Sequence, residues 1–220
     1  MRIFSSCGHR MQARCQQARR APDMAFRGST LIIPIRPMPR GPILIISGTN
    51  RPDSNALKVA RVLEAHYQRA VAATDLLNLE HLPSEVFDPA IYKVKPPAMV
   101  ELQRRVLAAA GLHVVTPEYN GSFPGVLKYF IDLLTYPESF EHRPVAYVGE
   151  SAGLWGGLRS VEQLQMVFGY RHAHSYPVRV FIPGVNKLFD PAGKLTDAGM
   201  DERLSEQVRG FLDYVTCLGR

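Results

Sequence analysis

Thr116–Asp132 reads TPEYNGSFPGVLKYFID, and the whole fold can be reasoned outward from it. The short apolar, β-branched run His113-Val114-Val115 leads into it, as a strand leads into its end. Pro117 closes that run and Asn120-Gly121 is a turn-forming dipeptide. Ser122 occupies an expected helix N-cap, since Leu127, Phe130, Ile131 and Leu134 follow at helical spacing. Strand, polar loop and helix succeed one another, with loop amides directed outward at a helix N-terminus. Such a place suits the polar edge of a flat, electron-rich ligand, and an ordinary βα turn fits the same residues equally well.

The same pattern recurs on both sides of this stretch. Ile43-Leu44-Ile45-Ile46 is a continuous apolar strand of the kind buried on both faces of a parallel sheet. It enters the polar loop Ser47–Asn55, after which Ala56, Leu57, Ala60, Leu63 and Tyr67 mark a helix that Ser54 or Asn55 caps. Thr74–Leu79 is a weaker strand, followed by a surface stretch punctuated by Pro83, Pro89, Pro96 and Pro97. Met99, Leu102, Val106 and Ala109 give a helix that Gly111 is expected to close, and Leu112–Thr116 is the third strand. Val145–Val148 is the fourth and ends in Glu150-Ser151-Ala152-Gly153; Leu158, Val161, Leu164 and Phe168 stripe the next helix. Val178–Ile182 is the expected fifth strand, Asn186–Lys194 a polar excursion, and Leu204, Val208, Phe211, Leu212 and Val215 line the last helix. Strands alternating with amphipathic helices specify a doubly wound α/β sheet, whose ligand site lies beyond the carboxyl ends of the strands.

Charge excludes one function class for the body of the chain. The formal charge is +6, but eight of the 26 basic residues are arginines within residues 1–40, where Asp23 is the single acid. The other 180 residues hold 18 basic and 19 acidic side chains, so no basic groove spans the domain. Residues 1–40 are expected to be a basic, disordered extension preceding a domain at 41–220. They resemble a transit peptide faintly; a start site assigned too far upstream, with Met24 or Met38 as the true one, is the favoured reading. Cys7, Cys15 and Cys217 form no CxxC pair, which argues against a disulfide scaffold or a Cys-rich zinc site and suits a reducing compartment. No apolar run reaches 18 residues, and Pro34 interrupts the only signal-like core, so a cytoplasmic location is expected.

The loop after the first strand has the makings of a phosphate site. Thr49 and Ser54 bring hydroxyls, Asn50 and Asn55 amides and Arg51 a charged fork, with a helix starting behind them. It is neither a Walker A loop nor GxGxxG.

Two segments together resemble one family. Gly48–Asn55 is similar to the GSxRxxSxN phosphate loop of the NAD(P)H-dependent FMN reductases, which are flavodoxin-like. Thr116–Ser122 with Pro124–Lys128 resembles their TPEYNGSxPGxLKNxID segment, and the likeness covers about residues 42–183. Thr49 stands where that family has serine, Tyr129-Phe130 replaces a small or amide pair, and Ser151–Gly157 resembles the third, glycine-rich loop only in outline. The resemblance implies a flavodoxin-like three-layer sandwich, with a five-stranded parallel sheet and helices on both faces. It implies bound FMN, with NADPH or NADH as co-substrate and a quinone, free flavin or similar small molecule as electron acceptor. Thr49, Arg51, Ser54 and Asn55 would surround the FMN phosphate; Pro117, Glu118, Tyr119, Asn120 and Gly121 would border the isoalloxazine; Ser151 and Gly153 would close the other side. No catalytic side chain is then required, because the chemistry belongs to the flavin. A ping-pong cycle and a homodimer or homotetramer are expected, without nucleic acid, membrane or metal. An FMN-binding electron carrier without nicotinamide turnover is the alternative.

Other candidates carry weaker chemistry. His172 and His174 are two metal nitrogens without a third ligand, better read as a solvated helix exit. His113 is expected to be a packed or edge histidine. Trp155 fits stacking on a flavin, a subunit contact or simple packing, and Glu118 is expected to hydrogen-bond its own backbone rather than act as a base.

Overall fold

Five parallel strand positions are filled in the order expected of a flavodoxin-like sheet. The computed structural model describes residues 39–220; what was expected of residues 1–38 lies outside them. Strands β1 (Ile43–Ser47), β2 (Thr74–Asn78), β3 (Gly111–Pro117) and β4 (Pro144–Ser151) lie in the order β2-β1-β3-β4, all parallel. The order reverses at β1, and the crevice at such a reversal opens between β1 and β3.

The fifth position departs from expectation because two short strands share it. β5 (His174–Ser175) pairs with Pro144-Val145, and β6 (Val180–Pro183) pairs with Val148–Ser151. Pro177 sits between them without an N–H to give the ladder. Gln207 repairs the break: its Nε2 donates to the carbonyls of Val178 and Tyr147 at 3.0 and 2.9 Å.

Alternation along each strand builds two cores. Ile43, Ile45, Val115, Ala146 and Val148 face helices α1 (Asn55–Arg69) and α5 (Ala198–Cys217). Leu44, Ile46, Leu112, Val114 and Tyr147 face α2 (Pro97–Ala108), α3 (Gly125–Leu133) and α4 (Leu158–Tyr170). Two helices on one face and three on the other make the three layers.

Two helix boundaries differ from the reading of the sequence. Ser122 does not cap α3, which starts at Gly125 behind Pro124. The residue before a proline is held out of the α region, so Phe123 stays outside the helix and Ser122 falls too early. Gly111 does not close α2 but opens β3, where a β-carbon would meet Phe211 and Val215 of α5 at 3.0 Å.

One polar network crosses the α1–α5 core. His113 is fully buried on β3, with Tyr67 Oη 2.8 Å from Nδ1 and Gln207 Oε1 3.2 Å from Nε2. Since the Gln207 amide nitrogen donates to two carbonyls, its oxygen is the acceptor. The hydrogen of His113 therefore sits on Nε2, and Nδ1 accepts from Tyr67. Burial pushes the His113 pKa down to about 3, so the ring is neutral at ordinary pH.

Candidate functional site

A cavity of about 610 Å³ opens at the carboxyl ends of β1, β3 and β4, walled by the loops that follow them. From the first loop come Arg51, Pro52, Asp53, Ser54 and Asn55; from the second, Pro117, Glu118 and Tyr119. β4 and its loop bring Glu150, Ser151 and Ala152, and the turn after β6 brings Val185 and Asn186.

The first loop is held from beneath. Thr49 is buried; its Oγ1 accepts from the Arg51 amide at 3.2 Å and lies 3.1 Å from Tyr119 Oη, tying the first loop to the second. Ser54 caps α1 as expected, its Oγ accepting from the Leu57 amide at 3.1 Å. The first turn of α1 contains no acid, and among the described residues Arg51 has no carboxylate at ion-pair distance. A helix N-terminus and a guanidinium without an ion-pair partner among the described residues thus face one cavity, an arrangement that favours an anion.

The second loop is a short hairpin clamped by α4. Tyr119 and Ser122 exchange backbone hydrogen bonds of 2.8 and 3.0 Å around Asn120 and Gly121, whose φ angles are +53° and +76°. Two successive positive φ angles define a type I′ turn, the conformation that Asn-Gly adopts most readily. Gln163 holds both of its sides, donating to Gly121 O at 2.9 Å and accepting from Ser122 Oγ at 2.6 Å. One turn earlier Arg159 donates to Glu118 Oε1 at 2.9 Å, and the buried Oε2 of Glu118 has no partner among the described residues. Glu118 is thus paired with an arginine of α4 instead of with its own backbone. Ser160 completes the clamp by donating to Pro117 O at 2.9 Å.

The third loop leaves β4 through close backbone contacts. A β-carbon on Gly149 would meet the Gly157 carbonyl at 2.7 Å, and one on Gly157 would strike the Glu150 amide. Leu154 and Trp155 stand out from this loop, 82% and 57% exposed, so simple packing does not describe Trp155.

Arg51, Ser54, Asn55, Pro117, Glu118, Tyr119 and Ser151 therefore share the cavity wall. Thr49 lies beneath it, Asn120 and Gly121 form the turn beyond Tyr119, and Gly153 follows Ser151, whose Oγ donates to the Gly153 carbonyl at 3.2 Å. His174 sits at the opposite end of the sheet, paired with the first residue of β4, and His113 is in the core. Sequence reasoning passed over Glu150 and Asn186 in the wall and Arg159, Ser160 and Gln163 behind it. A carboxyl ending an apolar strand was the available signal for Glu150. Arg159 and Gln163 lie one helical turn apart, but nothing local says which loop they meet.

Burial raises the Glu150 pKa to about 7, with Arg51 pulling against that rise. Its protonation therefore changes near neutrality.

Comparison with known proteins agrees with this architecture. The family model described as NADPH-dependent FMN reductase matches residues 42–187. An NAD(P)H-dependent FMN reductase of Pseudomonas aeruginosa is 33% identical over 145 residues, covering 64% of this chain and 77% of that protein. A quinone reductase of Escherichia coli strain K12 is 28% identical over 179 residues, covering 79% and 94%. Among solved structures, a flavoenzyme NAD(P)H:(acceptor) oxidoreductase from Paracoccus denitrificans superposes with a TM-score of 0.69 at 24% identity, covering 80% of this chain and 97% of that one. The match runs from the start of β1 through the turn after β6, the span that carries all the loops of the cavity, and the chain belongs to the NADPH-dependent FMN reductase family.

Proposed function

We propose that the cavity holds FMN with its phosphate at Arg51, Ser54 and Asn55 and its ring along Pro117–Tyr119 and Ser151, and that nicotinamide and acceptor use the exposed ring face in turn. The observation that carries this reading is Arg51, without a carboxylate at ion-pair distance among the described residues, at the start of α1 and in one cavity with the clamped Glu118-Tyr119 loop. The residues fit the group. A dianionic phosphate matches the guanidinium and helix N-terminus. A β-carbon on Gly48 would strike Val115 O at 2.8 Å, so the first loop lies against β3 as closely as glycine permits. Thr49 acts from below, fixing the Arg51 amide and the Tyr119 hydroxyl so that both loops keep one spacing. When bound, FMN supplies the two-electron chemistry that takes reducing equivalents from NAD(P)H and passes them to an acceptor. The protein positions the partners, and no side chain is assigned as acid or base.

A quinone, free flavin or similar flat acceptor suits a cavity whose wall includes the partly exposed Tyr119. Nicotinamide and acceptor both need about 3–3.5 Å approach to the ring, which one face cannot give to two molecules together. Initial rates against NAD(P)H at several acceptor concentrations should give parallel double-reciprocal lines. Intersecting lines would mean that both substrates bind at once.

A homodimer or homotetramer in the cytoplasm completes the reading, in keeping with sparse cysteine and a near-neutral body. No helix among the described residues is long and apolar enough to cross a membrane. Residues 1–40 are proposed to be dispensable: a chain of residues 38–220 should keep the melting temperature and flavin content of the full chain, and loss of either would refute this.

A further inference from the structure

One acid of the cavity wall makes no ion pair among the described residues. Glu150 is 5% exposed, and no hydrogen bond reaches its carboxyl from any described residue. Its neighbours across the sheet are Pro117 on β3 and Ile182 on β6, neither of which has a side-chain donor. The wall around it contains Arg51 and Asp53 from the first loop, Glu118 and Tyr119 from the second, and Asn186 from the turn after β6. Glu118 is already paired with Arg159, so Arg51 is the cation that acts on Glu150.

Resting on the reading of this cavity as an FMN site, we propose that Glu150 is a specificity-determining residue that links FMN binding to the uptake of one proton. As a carboxylate it competes with the phosphate for Arg51 and adds a like charge beside it. As a carboxylic acid it does neither, and Arg51 is left to the phosphate. The balance is one solvent proton taken up by Glu150 for each FMN bound where the free protein holds it ionised. Desolvation by the apolar neighbours puts this exchange near neutrality, at about pH 7. A ligand without a phosphate does not contend with Glu150 for Arg51, so the device discriminates FMN from riboflavin most strongly below neutrality.

The test uses the flavin-free full chain and Glu150→Gln, an uncharged isostere of the protonated acid, titrated with FMN and with riboflavin by quenching of flavin fluorescence. Between about pH 6 and pH 8 the ratio of wild-type to E150Q Kd for FMN should rise about tenfold, as expected of one group titrating midway. Ionisation of the FMN phosphate, near about pH 6, affects both proteins alike and cancels in the ratio. Riboflavin should give a flat ratio. A flat FMN ratio, or a riboflavin ratio rising in parallel, overturns the role of Glu150 while leaving the site intact. FMN that binds neither protein at any pH overturns the site reading, and this inference with it. Should E150Q not fold, the wild-type chain decides alone above about pH 7, where the FMN phosphate is already dianionic: between about pH 7 and 8.5 FMN affinity must fall relative to riboflavin affinity, and a constant ratio refutes the proposal.

Discussion

Arg51→Ala should weaken FMN binding roughly 10- to 150-fold and leave riboflavin binding nearly unchanged. A hydrogen bond to a charged group contributes about 1.5–3 kcal/mol, and about 1.4 kcal/mol is a factor of ten in Kd. Arg51 brings this term without an opposing carboxylate at ion-pair distance among the described residues. The loop itself should survive the substitution, because Thr49 grips the Arg51 amide and not its side chain, and Ser54 caps α1 independently. Parallel titrations with the two flavins read the effect. Equal losses for both would place Arg51 against the ring or the ribityl chain.

Acid should unfold this protein through His113. Its folded pKa of about 3 lies below the ordinary histidine value, so the unfolded chain binds a proton that the native core excludes. Stability from this group is complete above about pH 6.5 and falls by about 1.4 kcal/mol per pH unit below it, until the folded pKa is reached. Glu150 works in the opposite sense between its ordinary pKa and about 7, because the native state holds its proton more tightly. Comparison with His113→Gln cancels that contribution. At about pH 7.5 the variant should be about 1–3 kcal/mol less stable, having lost the ring nitrogen held in place to accept from the Tyr67 hydroxyl. The gap should close, then reverse, as pH falls towards about 4.5. Urea midpoints of the flavin-free proteins at several pH values measure it; a gap independent of pH would show that His113 is not the proton-excluding group.

What could be read in advance was whatever one element states about itself. Ile43–Ile46 is apolar at every position because alternate residues enter different cores, so a both-faces-buried strand was legible from four letters. Ser54 precedes a clean helical stripe and does cap it. Ser122 looked the same locally, but Pro124 two residues later forbids the helix from starting there. The split fifth strand depends on Gln207, which comes about 30 residues after Val178, and no local pattern announces that a distant amide will satisfy a strand break. The cavity divides along the same line. Arg51, Ser54, Asn55 and Pro117–Tyr119 were found because each loop carries a motif, whereas Arg159 and Gln163 act only after α4 is laid beside the second loop. Glu150 was hidden differently: its chemistry arises from burial between Pro117 and Ile182, which becomes visible only once three strands are paired.

A nicotinamide donor should reduce a flavin held in this cavity. The direct measurement is an anaerobic titration of the FMN-loaded protein with NADPH and, separately, NADH, followed by the visible absorbance of the flavin. At least one donor should bleach the flavin with close to one equivalent, and a quinone added afterwards should restore the colour. Bound flavin that neither donor bleaches would contradict the account and leave an electron carrier in its place.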